Sequence, residues 1–121
     1  MSRDYRKLRT FHLADELALE VYKATKSFPR DEIFGLTSQM RRAAISISAN
    51  IVEGSFRTGE AEYLIFLNIA LGSAAELGYY LTFSEKLEYL SPLAAKTLIE
   101  KHQICIKSLQ SLIMALRRNR S

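Results

Sequence analysis

The sequence predicts an all-α fold, an up-down-up-down antiparallel four-helix bundle. Three observations carry that prediction. Apolar residues recur at three- and four-residue spacing along four long segments. Five Gly and two Pro in 121 residues supply too little turn chemistry for an all-β chain. Only short stretches join the segments, which makes sequential helices antiparallel neighbours. Apolar residues form 48% of the chain, enough to build the core of one domain over residues 1–121.

The first helix is predicted over about residues 10–27. Phe11, Ala14, Ala18, Val21, Tyr22 and Thr25 share one stripe, and Leu13 and Leu17 widen it. Phe28-Pro29 ends it, because a residue before proline avoids the α region. The second helix spans about 36–53, with Gly54 expected in a left-handed C-terminal conformation. The third spans about 59–87, with Thr58 as cap and Glu60 and Glu62 at the positive end of its dipole. Gly72 and Gly78 lie inside it. Each costs about 1 kcal/mol relative to Ala, so close approach of another helix is their expected reason. The fourth spans about 92–118, with Ser91 as cap and Pro92 at the first helical position. An apolar stripe from Ala95 to Leu116, containing His102 and Cys105, runs its length.

Helix 2 separates into strips when unrolled at about 100° per residue. Leu36, Met40, Ala43, Ala44, Ile47 and Ile51 form the main apolar face. Gln39, Arg42, Ser46, Asn50 and Glu53 form a polar ladder beside it, and Ile45, Ala49 and Val52 form a second apolar strip beyond. A simple bundle needs one apolar face; a second predicts another subunit as its cover. Helix 3, apolar over more than half its circumference, gives the same expectation of a homo-oligomer. The ladder reads as a buried network that sets bundle register, with Arg42 pairing to Glu76 or Glu62. A binding or catalytic site, or simple solvent exposure, are the alternatives.

No chemistry-bearing motif stands out. The chain has two histidines, His12 and His102, and neither completes the Glu-x-x-His pattern of carboxylate-bridged metal bundles. His12 and Glu16, one turn apart, read as surface residues. Cys105 lacks an evident base or electropositive neighbour and reads as packing. No cofactor, no metal site and no enzymatic activity are expected. One cysteine suits a reducing compartment, no leader pattern opens the chain, and no run approaches a membrane span, so a cytoplasmic protein without membrane contact is expected. The net charge is +4. It concentrates at the ends, in Arg3, Arg6, Lys7 and Arg9 and in Arg117, Arg118 and Arg120. An up-down-up-down bundle brings both ends to one pole, a candidate surface for phosphates. Solubilising tails are the alternative.

The order and spacing of several motifs resemble one family. They are Phe28-Pro29, Glu32, Phe34-Gly35-Leu36, Gln39, Arg41-Arg42-Ala43-Ala44, Ser46-Ile47, Asn50-Ile51, Glu53-Gly54, Ile69-Ala70-Leu71-Gly72-Ser73 and Glu76-Leu77. Together they resemble the bacterial four-helix-bundle proteins encoded within intervening sequences of 23S rRNA genes. Val52 and Gly78 depart from the small and polar residues common there. The resemblance implies a ring-shaped homopentamer. It also implies kinship with the accessory protein of diversity-generating retroelements, which binds nucleic acid and a reverse transcriptase. The expected function is therefore non-enzymatic: an oligomeric bundle touching RNA or DNA through its basic pole, or an adaptor for a protein such as a reverse transcriptase.

Overall fold

Four helices close into a ring in which sequence neighbours pack together and the first helix packs against the last. The computed structural model describes residues 3–120, with side chains through Asn119. A 3₁₀ turn at Tyr5–Lys7 leads into α1 (Arg9–Thr25), and a second at Arg30–Glu32 leads into α2 (Leu36–Ser55). Helices α3 (Glu60–Lys86) and α4 (Pro92–Arg120) complete the up-down-up-down antiparallel bundle. The predicted stripes meet inside. Leu17, Val21, Met40, Ile47, Ile51, Leu67, Leu77, Leu81 and Leu109 are fully buried.

Local chemistry explains the ends. Thr25 Oγ1 donates to the Val21 carbonyl at 2.8 Å and accepts from Arg41 Nε at 2.8 Å. Arg41 also donates to the Tyr22 carbonyl and lies 4.8 Å over the Tyr22 ring, so a residue of α2 closes the C-terminus of α1. Glu32 joins three elements. Its Oε1 accepts from the Leu36 N–H at 3.1 Å, opening α2, and its Oε2 accepts from the Tyr89 hydroxyl at 2.9 Å in the α3–α4 turn. Ser91 caps α4 as expected, accepting from the Ala94 N–H at 3.1 Å.

Four expectations need correction. Gly54 is not left-handed: among the described residues no glycine has positive φ, and α2 continues through Gly54 to Ser55. Its role is proximity, because a Cβ there would lie 2.9 Å from Phe66 Cβ and 3.0 Å from Tyr63 Cδ1. Thr58 does not cap α3; Gly59 takes that position without a side-chain bond. Gly78 does meet another helix, since a Cβ would lie 2.7 Å from His102 Cε1, but Gly72 has nothing within 4 Å. Finally, α3 is long and apolar enough, by length and composition, to cross a membrane. The apolar residues of α3 are divided between the core and an outer face. Its Ser73, Glu76 and Tyr80 are hydrogen-bonded in the polar ladder described below.

Candidate nucleic-acid interface

An antiparallel bundle puts the start of α1, the end of α2, the start of α3 and the end of α4 at one pole, and these segments interlock. Thr10 and Ser108 hydroxyls lie 2.7 Å apart, tying α1 to α4. Arg3 donates to the carbonyls of Arg57, Thr58 and Gly59 in the α2–α3 loop, and its guanidinium lies 5.1 Å over the Tyr63 ring. The N-terminal segment is thus packed against the bundle and is not a solubilising tail. Tyr5 packs edge-on against Phe11, with centroids 4.8 Å apart, and lies 6.4 Å from Phe56.

The predicted basic residues occupy this pole with different partners. Arg6 binds Asp4 through Nε and Nη2 at 2.9 and 3.0 Å, which holds the Asp4 carboxyl below its usual range and raises Arg6. Lys7, Arg9 and Arg118 are exposed. Arg117 donates to Asn68 Oδ1 at 3.4 Å. The Arg120 side chain lies outside the described residues. Sequence reasoning missed two members, Phe56 and Arg57. Phe56 is 79% exposed. Arg57 pairs with Glu53 at 2.8 Å and lies 4.7 Å over the Phe66 ring. The topology already carried the signal, because the α2–α3 loop of such a bundle must share the pole of both chain ends. Acids are present too: Asp4, Glu53, Glu60 and Glu62 stand among the cations.

Two clefts flank Tyr5. The first, of about 500 Å³, is lined by Leu8, Tyr63, Leu112 and Leu116 together with Arg3 and Lys7. The second, of about 520 Å³, lies between Arg3, Arg6, Ser55 and Phe56.

The polar ladder of α2 faces α3. Arg42 Nη2 donates to Glu76 Oε2 at 2.7 Å and Arg42 Nε to Gln39 Oε1 at 3.1 Å. Tyr80 donates to the same Glu76 oxygen at 2.8 Å. Ser46 and Ser73 hydroxyls lie 2.7 Å apart, and Asn50 Nδ2 donates to the Ser46 carbonyl at 2.7 Å. Glu53 turns to Arg57 instead of α3. Hydrogen bonds from Arg42 and then Tyr80 hold the Glu76 carboxyl below its usual value, and Glu76 raises Arg42 and Tyr80 in turn. The ladder is not a buried network, because the Arg42 and Glu76 side chains are 51% and 38% exposed. Beside it lies the second apolar strip. Ile45 is 46% exposed, Ala49 is exposed and Val52 half-buried. Ile65, Ile69, Tyr79 and Phe83 of α3 are exposed as well.

The other chemistry-bearing side chains have structural partners. His12 Nε2 donates to the Arg6 carbonyl at 2.6 Å, while Glu16 pairs with Lys101. His102 Nε2 donates to the Ala74 carbonyl at 2.7 Å. Burial pushes the Cys105 thiol up to about 11. Among the described residues no group of three or more His, Cys, Asp or Glu could hold a metal ion.

The family model of the 23S rRNA-intervening sequence protein matches residues 6–111. The chain belongs to this family. Among solved structures, it is similar to a protein with unknown function from the S23 ribosomal protein family of Bacteroides thetaiotaomicron, determined at 1.70 Å. The two share 27% identity with a TM-score of 0.77, over 86% of this chain and 97% of that one. A comparison with curated proteins finds no match. The 23S rRNA-intervening sequence match covers all four helices, although it ends within α4.

Proposed function

We propose that this member of the family is a non-enzymatic homo-oligomeric bundle that binds RNA or DNA through its basic pole. The supporting observation is the docking of the N-terminal segment onto the α2–α3 loop, beside the end of α4. It gathers Arg3, Arg6, Lys7 and Arg9 with Arg57, Arg117 and Arg118 in one region. Basic side chains there outnumber Asp4, Glu53, Glu60 and Glu62. Assembly into a ring, with five copies as the resemblance to ring-forming bundles implies, would repeat that region around a rim and strengthen its field.

Binding to phosphates releases counterions, so log K should fall linearly with log salt. Reversing Arg117, Arg118 and Arg120 to Glu should reduce affinity across sequences while the helical signal persists. Equal binding by this triple variant would overturn the reading. A second reading, an adaptor for a protein such as a reverse transcriptase, draws support from the exposed Tyr79 and Phe83 rings, which stack with centroids 5.9 Å apart. Capture of that polypeptide in high salt, with no oligonucleotide binding at low salt, would favour the adaptor.

A further inference from the structure

We infer that the cleft beside Tyr5 seats a single unstacked nucleotide, so that the basic pole is selective for single-stranded nucleic acid over duplex. The inference rests on the nucleic-acid reading above and assigns that surface a preferred form of ligand. A surface that only neutralises phosphates needs no apolar depression. This one has a cleft of about 500 Å³, within the roughly 300–1,000 Å³ range of small-ligand sites.

The lining matches the parts of a nucleotide. Leu8, Leu112 and Leu116 are half-buried and offer apolar surface for the flat face of a base, while Tyr63 is buried beneath the Arg3 guanidinium. Exposed Lys7 lines the cleft as a cation for the attached phosphate, and Arg3, whose guanidinium is bonded to the α2–α3 carbonyls, adds its charge. Glu60 also lines the cleft. A carboxylate there repels phosphate but accepts from an exocyclic amine, as acids do from cytosine N4. Asp4, the other acid on the wall, is occupied by Arg6. Tyr5 stands between this cleft and the second one, and the two share the Arg3-Asp4-Tyr5 wall. The second cleft contains exposed Phe56 next to Arg6. A strand crossing the wall therefore meets an aromatic or apolar surface on either side and cations along its path. That combination of stacking surfaces with a basic track is how single strands are held. A duplex keeps its bases stacked and presents none to the cleft.

The test uses the full chain and oligonucleotides of one sequence, as single-stranded RNA, single-stranded DNA and duplex DNA, at one salt concentration. One internal 2-aminopurine in the single strands reports whether a base leaves its stack. The expected result is single-strand affinity about tenfold or more above duplex affinity, a gain of the order of one stacked base. The fluorescence of 2-aminopurine should change on binding. Leu116→Arg, which fills the cleft with a non-aromatic side chain, should abolish most of that preference and the 2-aminopurine response. Glu60→Gln should narrow any preference for cytosine over uracil. Equal affinity for the two forms, with unchanged 2-aminopurine fluorescence and normal salt dependence, would overturn the cleft inference and leave the basic-pole reading standing. No binding of any oligonucleotide at low salt would remove both. Comparing RNA with DNA identifies which single strand is the ligand.

Discussion

At the scale of single residues, Gly78 and Gly72 separate two reasons for a glycine inside a helix. A Cβ at Gly78 would lie 2.7 and 2.9 Å from His102 Cε1 and Nε2, and that ring is buried and bonded to the Ala74 carbonyl. The ring cannot retreat without breaking its hydrogen bond. Gly78→Ala should therefore destabilise the protein by about 1–3 kcal/mol, the usual range for overpacking. At Gly72 the protomer offers open space, so Gly72→Ala should gain about 1 kcal/mol from helix propensity alone. Denaturant midpoints of the two variants, measured at a concentration where the protein is monomeric, check the pair. Equal shifts in one direction would contradict this account. The sequence marked both glycines as costly but not which one faced a neighbour. Periodicity fixes a residue's angle around its helix, whereas proximity depends on the helix opposite. Gly54 was misread for a related reason: its place near a helix end matched the chemistry of a terminus, yet Phe66 and Tyr63 press on it from α3.

At the scale of elements, the α2–α3 seam couples geometry to protonation. Glu76 accepts from both Arg42 and Tyr80, so its folded carboxyl titrates below the usual 4.5. A depressed carboxyl contributes stability that is fully present above the unfolded value and is lost as pH falls through the folded one. The pair is partly exposed, so the contribution is small, about 0.5–1 kcal/mol after solvent screening. Glu76→Gln should lower stability by that amount at pH 7 and by nothing once both forms are neutral, in acid well below pH 4.5. Urea unfolding of wild type and variant between neutral and acid pH measures the difference, and a gap that persists in acid would refute the mechanism. Helix positions, and a partner for Arg42 at Glu76 or Glu62, were legible in the sequence because both follow from 3.6-residue periodicity and charge; the structure selects Glu76. The Glu32–Tyr89 and Arg41–Thr25 bonds were not, since each joins elements whose relative rotation no local pattern records. At the basic pole, the terminal arginines were visible as runs of charge. Arg57 and Phe56 were visible only through the topology that returns their loop to the same end.

At the scale of the whole molecule, the spacing of the exposed apolar residues argues for a partner copy. On α2, Ile45, Ala49 and Val52 follow a four-three pattern along the outer face. On α3 the exposed apolar residues of this face are Ile65 and Ile69, then Tyr79 and Phe83, each pair four residues apart. Steps of three and four residues keep each row on one side of its helix. The two rows flank the Arg42–Glu76–Tyr80 ladder, so one surface presents two apolar rows with a hydrogen-bonded polar row between them. Ile45 and Ile69 are each 46% exposed in the protomer. For a monomer, Ile45→Glu or Ile69→Glu is a surface change worth within about 0.5 kcal/mol. For an oligomer, every copy would lose an apolar contact and gain a buried, unpaired charge, which costs several kcal/mol. The expected outcome is therefore a fall in mass by light scattering to that of one chain, 13.8 kDa, with the helical circular dichroism retained. The corresponding control is Leu19→Glu, on the exposed face of α1, which should leave the mass of the assembly unchanged. Dissociation also separates the two levels of the proposed function. If the single chains still bind oligonucleotides but with a shallower salt dependence, each pole binds alone and the ring adds reach. If binding vanishes with the assembly, the interface must join basic surfaces from neighbouring copies.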